Sequence, residues 1–289
     1  MITVILNAFK RQRFLIDQIE SVLSQSIPVD KILIWNNGPP LALSDYNGKV
    51  IVANSSENFG VWSRFAFALN ADTEYVCILD DDTFPNEDFF KSCVEQMDVE
   101  PALLGCRGLR FLSSSRYQPF ETFGWDAPNE KAEVVDIVGH AWFFKKIWLS
   151  TFWLEQPKVG ASRIVGEDMH FSFMLQKHLG LKTMVPAHSI HNKKRWGSDP
   201  EIAIKLGSSK EAISQADDVL RKFDLALKNY TSAGFVLCKD SVEIKVSGLV
   251  IGPGISRIDF IKRLANKYST FDKFARKIQK KLKEMGLYI

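Results

Sequence analysis

The feature that most constrains the fold is a short apolar segment, Tyr75–Leu79, that ends at the consecutive aspartates Asp80, Asp81 and Asp82. A short run of apolar, β-forming residues predicts a buried parallel strand. Ligands of open α/β sheets bind beyond the carboxyl ends of the strands. Adjacent carboxylates repel one another unless a cation is present, and Mg²⁺ or Mn²⁺ takes oxygen ligands that it often shares with phosphate. The segment therefore predicts a site for a divalent cation and a diphosphate; the alternative is an acidic surface turn.

Apolar segments alternate with amphipathic ones along the first two-thirds of the chain. Strands are predicted at residues 2–6, 31–35, 50–53, 75–79, 103–107, 134–138 and 181–185, with helices between most of them. This alternation predicts an α/β fold in which a mainly parallel sheet has helices on both faces. No Gly-x-Gly-x-x-Gly follows the first strand, so the main sequence signal for a dinucleotide-binding domain is missing.

The C-terminal part of the chain differs from the rest in charge. The 289 residues carry a net charge of +3, but residues 257–289 alone contain ten basic and three acidic side chains. Apolar residues repeat at heptad spacing over residues 261–285, which predicts a basic amphipathic helix. This helix would contact an anionic membrane surface, form a homodimer or pack on the body of the protein. Its aromatic residues lie on the apolar stripe, so we predict no nucleic-acid binding.

These patterns also predict the domain organisation and the location. We expect an α/β domain at residues 1–200 and a C-terminal extension at 201–289. The extension contains a helix that begins at the capping box 208–211, a small hairpin formed by residues 235–238 and 242–251, and the basic helix. The cysteines have no paired spacing and the apolar N-terminus is too short for a signal peptide. We therefore predict a cytoplasmic protein, with a peripheral position at the inner face of the membrane as the alternative.

Five short segments occur in an order that resembles the GT-A glycosyltransferases, over roughly residues 1–196. They are Leu6-Asn7-Ala8-Phe9, Trp35-Asn36-Asn37-Gly38, Asn58-Phe59-Gly60 with Arg64, Asp80-Asp81-Asp82, and Glu167-Asp168 at the start of a helix. The five segments resemble those of two branches of that fold, the inverting family 2 and the retaining exostosin-like family 64. The Asn-Asn pair after the second strand is closer to the exostosin-like pattern.

The resemblance implies a nucleotide-sugar donor, a UDP-sugar, that is bound with Mn²⁺ or Mg²⁺. At the base, the donor site would contain Leu6, Asn7 and Phe9, with Asn37 at the pyrimidine edge. Arg64 would contact the diphosphate or the base, and Asp80 the ribose or the donor sugar. Asn58 would also belong to the donor site, and Asp81 would point back into the fold. Asp82 and Asp80 would bind the metal, with His191 as third ligand. Alternatively, Arg64 is an ordinary amphipathic-helix arginine and His191 a solvated loop histidine.

The resemblance also implies catalytic and acceptor residues. Asp168 would be the general base of an inverting enzyme, supported by Glu167, or would orient the donor sugar in a retaining one. The alternative for Asp168 is a helix cap. Trp142 and His140 lie where the acceptor would bind, although Trp142 also fits a core position. The aromatic residues of segment 111–133 have two interpretations, core residues or a wall that stacks on sugars.

Two other functions remain open at this point. A sugar-1-phosphate nucleotidyltransferase needs a glycine-rich loop after the first strand, which this chain lacks. A nucleotide-sugar or glycan-binding protein without turnover would keep the metal site but transfer nothing. The residues favour a metal-dependent glycosyltransferase that uses a glycan or lipid-linked acceptor in polysaccharide or glycoconjugate synthesis.

Overall fold

The structure is a computed structural model that describes residues 1–43, 46–160, 162–207, 216–241, 244–246 and 249–251. The predicted capping box at 208–211 and the heptad pattern at 261–285 lie outside these residues. Within the described part of the chain, no helix combines the length and the apolar character needed to cross a membrane.

The elements follow one another in a βα order that changes after β5. The strands are β1 Ile2–Ala8, β2 Lys31–Asn36, β3 Val50–Asn54, β4 Tyr75–Leu79, β5 Ala102–Leu104, β6 Arg107–Phe111, β7 Phe120–Gly124, β8 Glu133–Val135, β9 Ile137–Gly139, β10 Ala141–Lys145, β11 Lys182–Val185, β12 Ile244–Val246 and β13 Leu249–Ile251. The helices are α1 Leu15–Leu23, α2 Ser63–Phe67, α3 Phe89–Val99, α4 Leu149–Phe152, α5 Glu167–Leu179, α6 Pro200–Gly207 and α7 Asp217–Ser232.

The main sheet has eight strands in the order β3-β2-β1-β4-β10-β5-β11-β8. β1 pairs in parallel with β2 and β4, β2 with β3, and β5 with β11. β10 runs antiparallel between β4 and β5, and β8 runs antiparallel at the edge on β11. The predicted α/β fold with a mixed, mainly parallel sheet is confirmed.

The antiparallel direction of β10 brings two distant segments of the chain together. Ala141, the first residue of β10, pairs with Leu79, the last residue of β4. The residue before β10 therefore lies beside the residue after β4, and the Asp80 backbone N–H donates to the His140 carbonyl at 2.9 Å. This arrangement places His140 next to the aspartates.

Two strands that the sequence predicts as continuous are divided between sheets. Predicted strand 103–107 ends at Leu104 in the main sheet, and β6 then starts a separate antiparallel sheet of order β7-β6-β9. Predicted strand 134–138 divides at Asp136, whose buried carboxylate accepts the backbone N–H groups of Phe111 at 2.7 Å and Cys238 at 2.6 Å. Segment 111–133, expected to be irregular, contains β7.

A second hydrophobic cluster joins α7 to the α/β body. It contains Phe173 from α5, Leu227 and Tyr230 from α7, and Phe235 and Leu237 from the chain that follows. Segment 235–238 contributes Phe235 and Leu237 to this cluster and forms no strand, so the predicted hairpin is wrong in its first half. The hairpin instead pairs β12 with β13, both within predicted strand 242–251.

Candidate functional site

Side chains from the segment between β1 and α1, from α1 and from the chain before β10 hold the aspartates that follow β4. Gln18, buried on α1, donates from Nε2 to the carbonyls of Asp80 at 2.6 Å and Thr83 at 2.8 Å. Arg11 donates from Nη2 to Asp81 at 2.6 Å and from Nη1 to Asp82 at 3.0 Å. The turn is therefore fixed at its backbone and at its carboxylates.

Asp80, Asp82 and His140 form a group that could hold a metal ion, since one ligand atom of each lies within 4.8 Å of the others. His140 Nδ1 lies 3.2 Å from Asp82 Oδ1, and Trp125 packs edge-on against the imidazole at 5.5 Å between ring centroids. Carboxylate oxygens suit Mg²⁺ and Mn²⁺, and an added imidazole nitrogen is better suited to Mn²⁺ than to Mg²⁺. These residues fit a divalent cation.

The sequence predicts His191 as the third ligand, but the histidine in this group is His140. His191 is exposed in the loop after β11, where its backbone N–H donates to Ser189 Oγ at 3.1 Å. His140, expected near the acceptor, occupies the place beside Asp82. Its φ of +62° lies in the left-handed region that few non-glycine residues adopt.

Burial and neighbouring charges shift the pKa values of the titratable groups in the site. Burial alone would raise the pKa of Asp82, but His140 and Arg11 outweigh burial and hold that pKa below its usual range. Burial lowers the pKa of His140, yet the Asp82 carboxylate reverses the effect and raises it. Burial raises the pKa of Asp81 to about 6, against the attraction of Arg11.

Arg64 connects this group to the start of α5. Its guanidinium is 3% exposed, donates from Nη1 to Asp80 Oδ1 and from Nη2 to Glu167 Oε1 at 2.8 Å, and lies 4.4 Å from the centroid of the Trp142 ring. Burial opposes the charge on Arg64, but Asp80 and Glu167 outweigh burial and raise its pKa. In this structure Arg64 binds two carboxylates of the protein.

The pair Glu167 and Asp168 begins α5. The preceding Gly166 has a φ of +90°, and a Cβ there would lie 2.3 Å from Val159 Cγ1. Asp168 Oδ1 accepts the N–H of Met169 at 2.7 Å. Burial, reinforced by the charge of Glu167, raises the pKa of Asp168 to about 8, and burial also raises the pKa of Glu167 despite Arg64. Once ionised, the Asp168 carboxylate is therefore a stronger base than that of an unperturbed aspartate.

Three residues predicted to contact the base, Leu6, Asn7 and Phe9, lie at the carboxyl end of β1. Leu6 is fully buried, whereas Asn7 and Phe9 are half-buried. The Asn7 Oδ1 atom is buried and has no hydrogen-bond partner within the described residues.

Asn37 uses its amide within the protein. Its Oδ1 accepts from Trp35 Nε1 at 2.8 Å and from the Phe59 N–H at 3.2 Å. Asn58 Oδ1 accepts the Gly60 N–H at 2.8 Å. Asn37 and Asn58 therefore shape the loop before α2, with Asn58 itself exposed.

On the acceptor side, Trp142 is 2% exposed and lies in the core under Arg64, so the structure leaves no open face of this ring for a sugar. Tyr117 of segment 111–133 stacks on Phe223 of α7 at 4.5 Å between centroids. Burial and then the charge of Asp168 raise the pKa of the Tyr117 hydroxyl.

Sequence reasoning did not identify Arg11 or Gln18 as site residues. A signal existed for Gln18, since it lies on the same helical stripe as Leu15, Ile19 and Val22 and is a polar residue among buried ones. Arg11 gave a weaker signal: it is a basic residue just after the first strand, near a rim that carries three aspartates.

Comparisons with known proteins identify the family and the fold. The family model for glycosyl transferase family 2 matches residues 3–171. A crystal structure of GalNAc-T7 with UDP, GalNAc and Mn²⁺ is similar with a TM-score of 0.52 and 11% identity, over 81% of this chain and 57% of that chain. TarS from S. aureus has a TM-score of 0.46 and 16% identity, over 65% of this chain and 35% of that one, so this chain spans about a third of the length of TarS. The search of curated proteins found no match.

Proposed function

The chain belongs to glycosyl transferase family 2, and we propose that it transfers a sugar from a UDP-linked donor to a glycan or lipid-linked acceptor in the synthesis of a surface polysaccharide or glycoconjugate. Its fold is that of the GT-A glycosyltransferases. Of the two branches that the sequence left open, the match is to family 2, and we therefore propose an inverting reaction.

The observation that carries this proposal is the group of Asp80, Asp82 and His140 at the carboxyl end of β4. These three residues would hold Mn²⁺ or Mg²⁺, with His140 in the place first assigned to His191. A cation bound there supplies positive charge for the diphosphate and for the charge that develops on the leaving group. The structure of GalNAc-T7 with UDP and Mn²⁺ supports the choice of both ligands.

The donor would lie across the ends of β1, β2 and β4. Asn7 contributes a buried acceptor atom without a partner within the described residues, which suits a donor N–H group of the base. Phe9 offers a half-buried ring beside it. Asn37 and Asn58 would act indirectly, by shaping the loop that ends at Gly60.

Asp168 is the proposed general base. Its carboxylate would take the proton of the acceptor hydroxyl while that oxygen bonds to the anomeric carbon and the bond from that carbon to the diphosphate breaks. Glu167 would keep the pKa of Asp168 high and is itself held by Arg64 at 2.8 Å. Tyr117, from the aromatic segment 111–133, is a candidate for contact with the acceptor.

A thermal-shift panel of nucleotide sugars with and without Mn²⁺, combined with a transfer assay, tests this function. Asp82→Asn and His140→Asn should abolish or weaken the Mn²⁺-dependent shift, whereas His191→Asn should leave it unchanged. Asp168→Asn should keep donor binding and lose transfer. A full Mn²⁺-dependent shift in Asp82→Asn would overturn the metal site, and loss of the shift in His191→Asn alone would restore His191 as the ligand.

A lipid-linked acceptor would place the enzyme at the inner face of the membrane. On its sequence pattern, we assign contact with the anionic membrane surface, or contact within a homodimer, to the basic segment 261–285. Removal of residues 257–289 should then reduce binding to anionic liposomes, and unchanged binding would exclude the membrane role.

A further inference from the structure

Arg11 lies among the carboxylates to which the metal would bind. Its guanidinium is 11% exposed and contacts Asp81 Oδ1 at 2.6 Å and Asp82 Oδ2 at 3.0 Å. The other carboxylate oxygen of Asp82 lies 3.2 Å from His140 Nδ1. Both oxygens of Asp82 are therefore engaged by protein groups, and one of these groups is a permanent cation.

We infer that Arg11 is a positioning residue that makes metal binding depend on the donor diphosphate. This inference rests on the proposed function, since it assumes that Asp82 is a metal ligand. Arg11 holds the aspartate turn together when no metal is bound. It thereby competes with the metal for Asp82.

The competition follows from charge. A divalent cation bound to Asp82 meets the positive charge of Arg11 and is repelled by it, so the metal alone binds weakly. A diphosphate brings negative charge to both cations and removes most of this repulsion. The planar fork of arginine matches phosphate oxygens as well as carboxylates, so the arriving diphosphate offers Arg11 an alternative partner to Asp82.

Other basic side chains near the rim are placed differently. Arg64 binds Asp80 and Glu167 and is fully buried between them. Lys194 and Arg195, in the loop after β11, form ion pairs with Glu87 and Glu95. Arg11 is the arginine that contacts Asp82 in the described structure, and it is therefore placed to link the metal to the diphosphate.

Because coupling between two ligands is reciprocal, the effect is measurable without turnover. Mn²⁺ binding can be followed by the electron paramagnetic resonance signal of free Mn²⁺, with and without UDP. In the wild type, UDP should tighten Mn²⁺ binding strongly. Arg11→Gln should bind Mn²⁺ alone roughly tenfold more tightly than the wild type, and the enhancement by UDP should shrink by a similar factor, within the range of typical coupling between sites.

Two variants serve as controls for this measurement. Arg11→Lys keeps the charge but loses the planar fork of the guanidinium, so its affinity for Mn²⁺ should lie between those of the wild type and Arg11→Gln. It also serves as the test variant if Arg11→Gln does not fold. Arg13→Gln removes an equal charge from an exposed side chain two residues away and should behave as the wild type.

The possible outcomes distinguish a failure of the inference about Arg11 from a failure of the proposed function. If Asp82→Asn abolishes Mn²⁺-dependent UDP binding while Arg11→Gln binds Mn²⁺ no more tightly than the wild type, the inference about Arg11 is wrong and the proposed function stands. If the wild type binds no Mn²⁺ with UDP, or Asp82→Asn binds it unchanged, the proposed function is wrong and the inference falls with it.

Discussion

Arg64 on α2 donates a hydrogen bond of 2.8 Å to Glu167 at the start of α5. The other terminal nitrogen of the same guanidinium binds Asp80 after β4. One buried cation therefore connects the proposed metal group to the proposed catalytic pair. The position of the proposed general base relative to the proposed metal group therefore depends on this side chain.

The first prediction concerns this buried arginine. Arg64→Met should lower the free energy of unfolding at pH 7 by about 3–5 kcal/mol, because the buried Glu167 then loses its cation and the half-buried Asp80 loses the same partner. Urea unfolding measures the loss. Lys222→Met, which removes an exposed ion pair with Asp218 on α7, is the control and should change stability little. A loss no larger than that of the control would show that Arg64 does not hold the two carboxylates together.

The second prediction concerns the cost of Asp168 to stability. The folded protein raises the pKa of this carboxyl from 3.8 to about 8. Between these two pH values the folded state binds more protons at Asp168 than the unfolded state does, so this residue makes the protein less stable as the pH rises. Asp168→Asn removes that effect. The variant should gain stability over the wild type progressively from about pH 4 to about pH 8 while it loses transfer activity.

Thermal unfolding across this pH range measures the effect. Asp217→Asn, at an exposed position in the first turn of α7, is the matched control. A constant difference between Asp168→Asn and the wild type at all pH values would contradict the raised pKa.

The third prediction separates Glu167 from Asp168. Because the charge of Glu167 helps to raise the pKa of Asp168, Glu167→Gln should lower that pKa. The acidic limb of kcat/KM against pH, which reports the ionisation of the base, should then move to lower pH. Glu121→Gln, at an exposed position on β7, should leave the limb in place. A limb that stays fixed in Glu167→Gln would show that Asp168 is not the group that titrates.

The sequence predicted those site residues that lie at the end of a single recognisable strand. Tyr75–Leu79 is fully buried as β4, and the aspartates follow it at the rim. Such a strand is recognisable because its burial requires a continuous apolar run. Leu6 and Asn7, which the sequence predicts to contact the donor, likewise lie at the carboxyl end of β1.

What the sequence did not reveal depends on contacts between distant segments. His140 reaches Asp82 because β10 runs antiparallel to β4, and no local pattern specifies that direction. Strand 134–138 divides because Asp136 binds two backbone N–H groups, one of them 102 residues away at Cys238. A single carboxylate within an apolar run does not show where its partners will lie.

The last prediction tests how the loop before α2 fixes the start of α5. Gly60 has a φ of +76°, and a Cβ there would lie 2.0 Å from the carbonyl oxygen of Arg163. The Val61 N–H donates to that same oxygen at 2.9 Å, so a shift of Arg163 would break this bond and disturb the chain that leads into Glu167 and Asp168. Gly48 has a similar φ of +79°, but nothing lies within 4 Å of the corresponding Cβ position.

Gly48→Ala therefore introduces backbone strain alone, which should cost roughly 1 kcal/mol of the free energy of unfolding. Gly60→Ala adds a steric clash to the same strain and should cost roughly 3 kcal/mol, with a fall in transfer activity that Gly48→Ala does not share. Urea unfolding and a transfer assay on both variants measure these effects. Equal losses of stability with full activity in both would show that the contact between Gly60 and Arg163 does not position the catalytic pair.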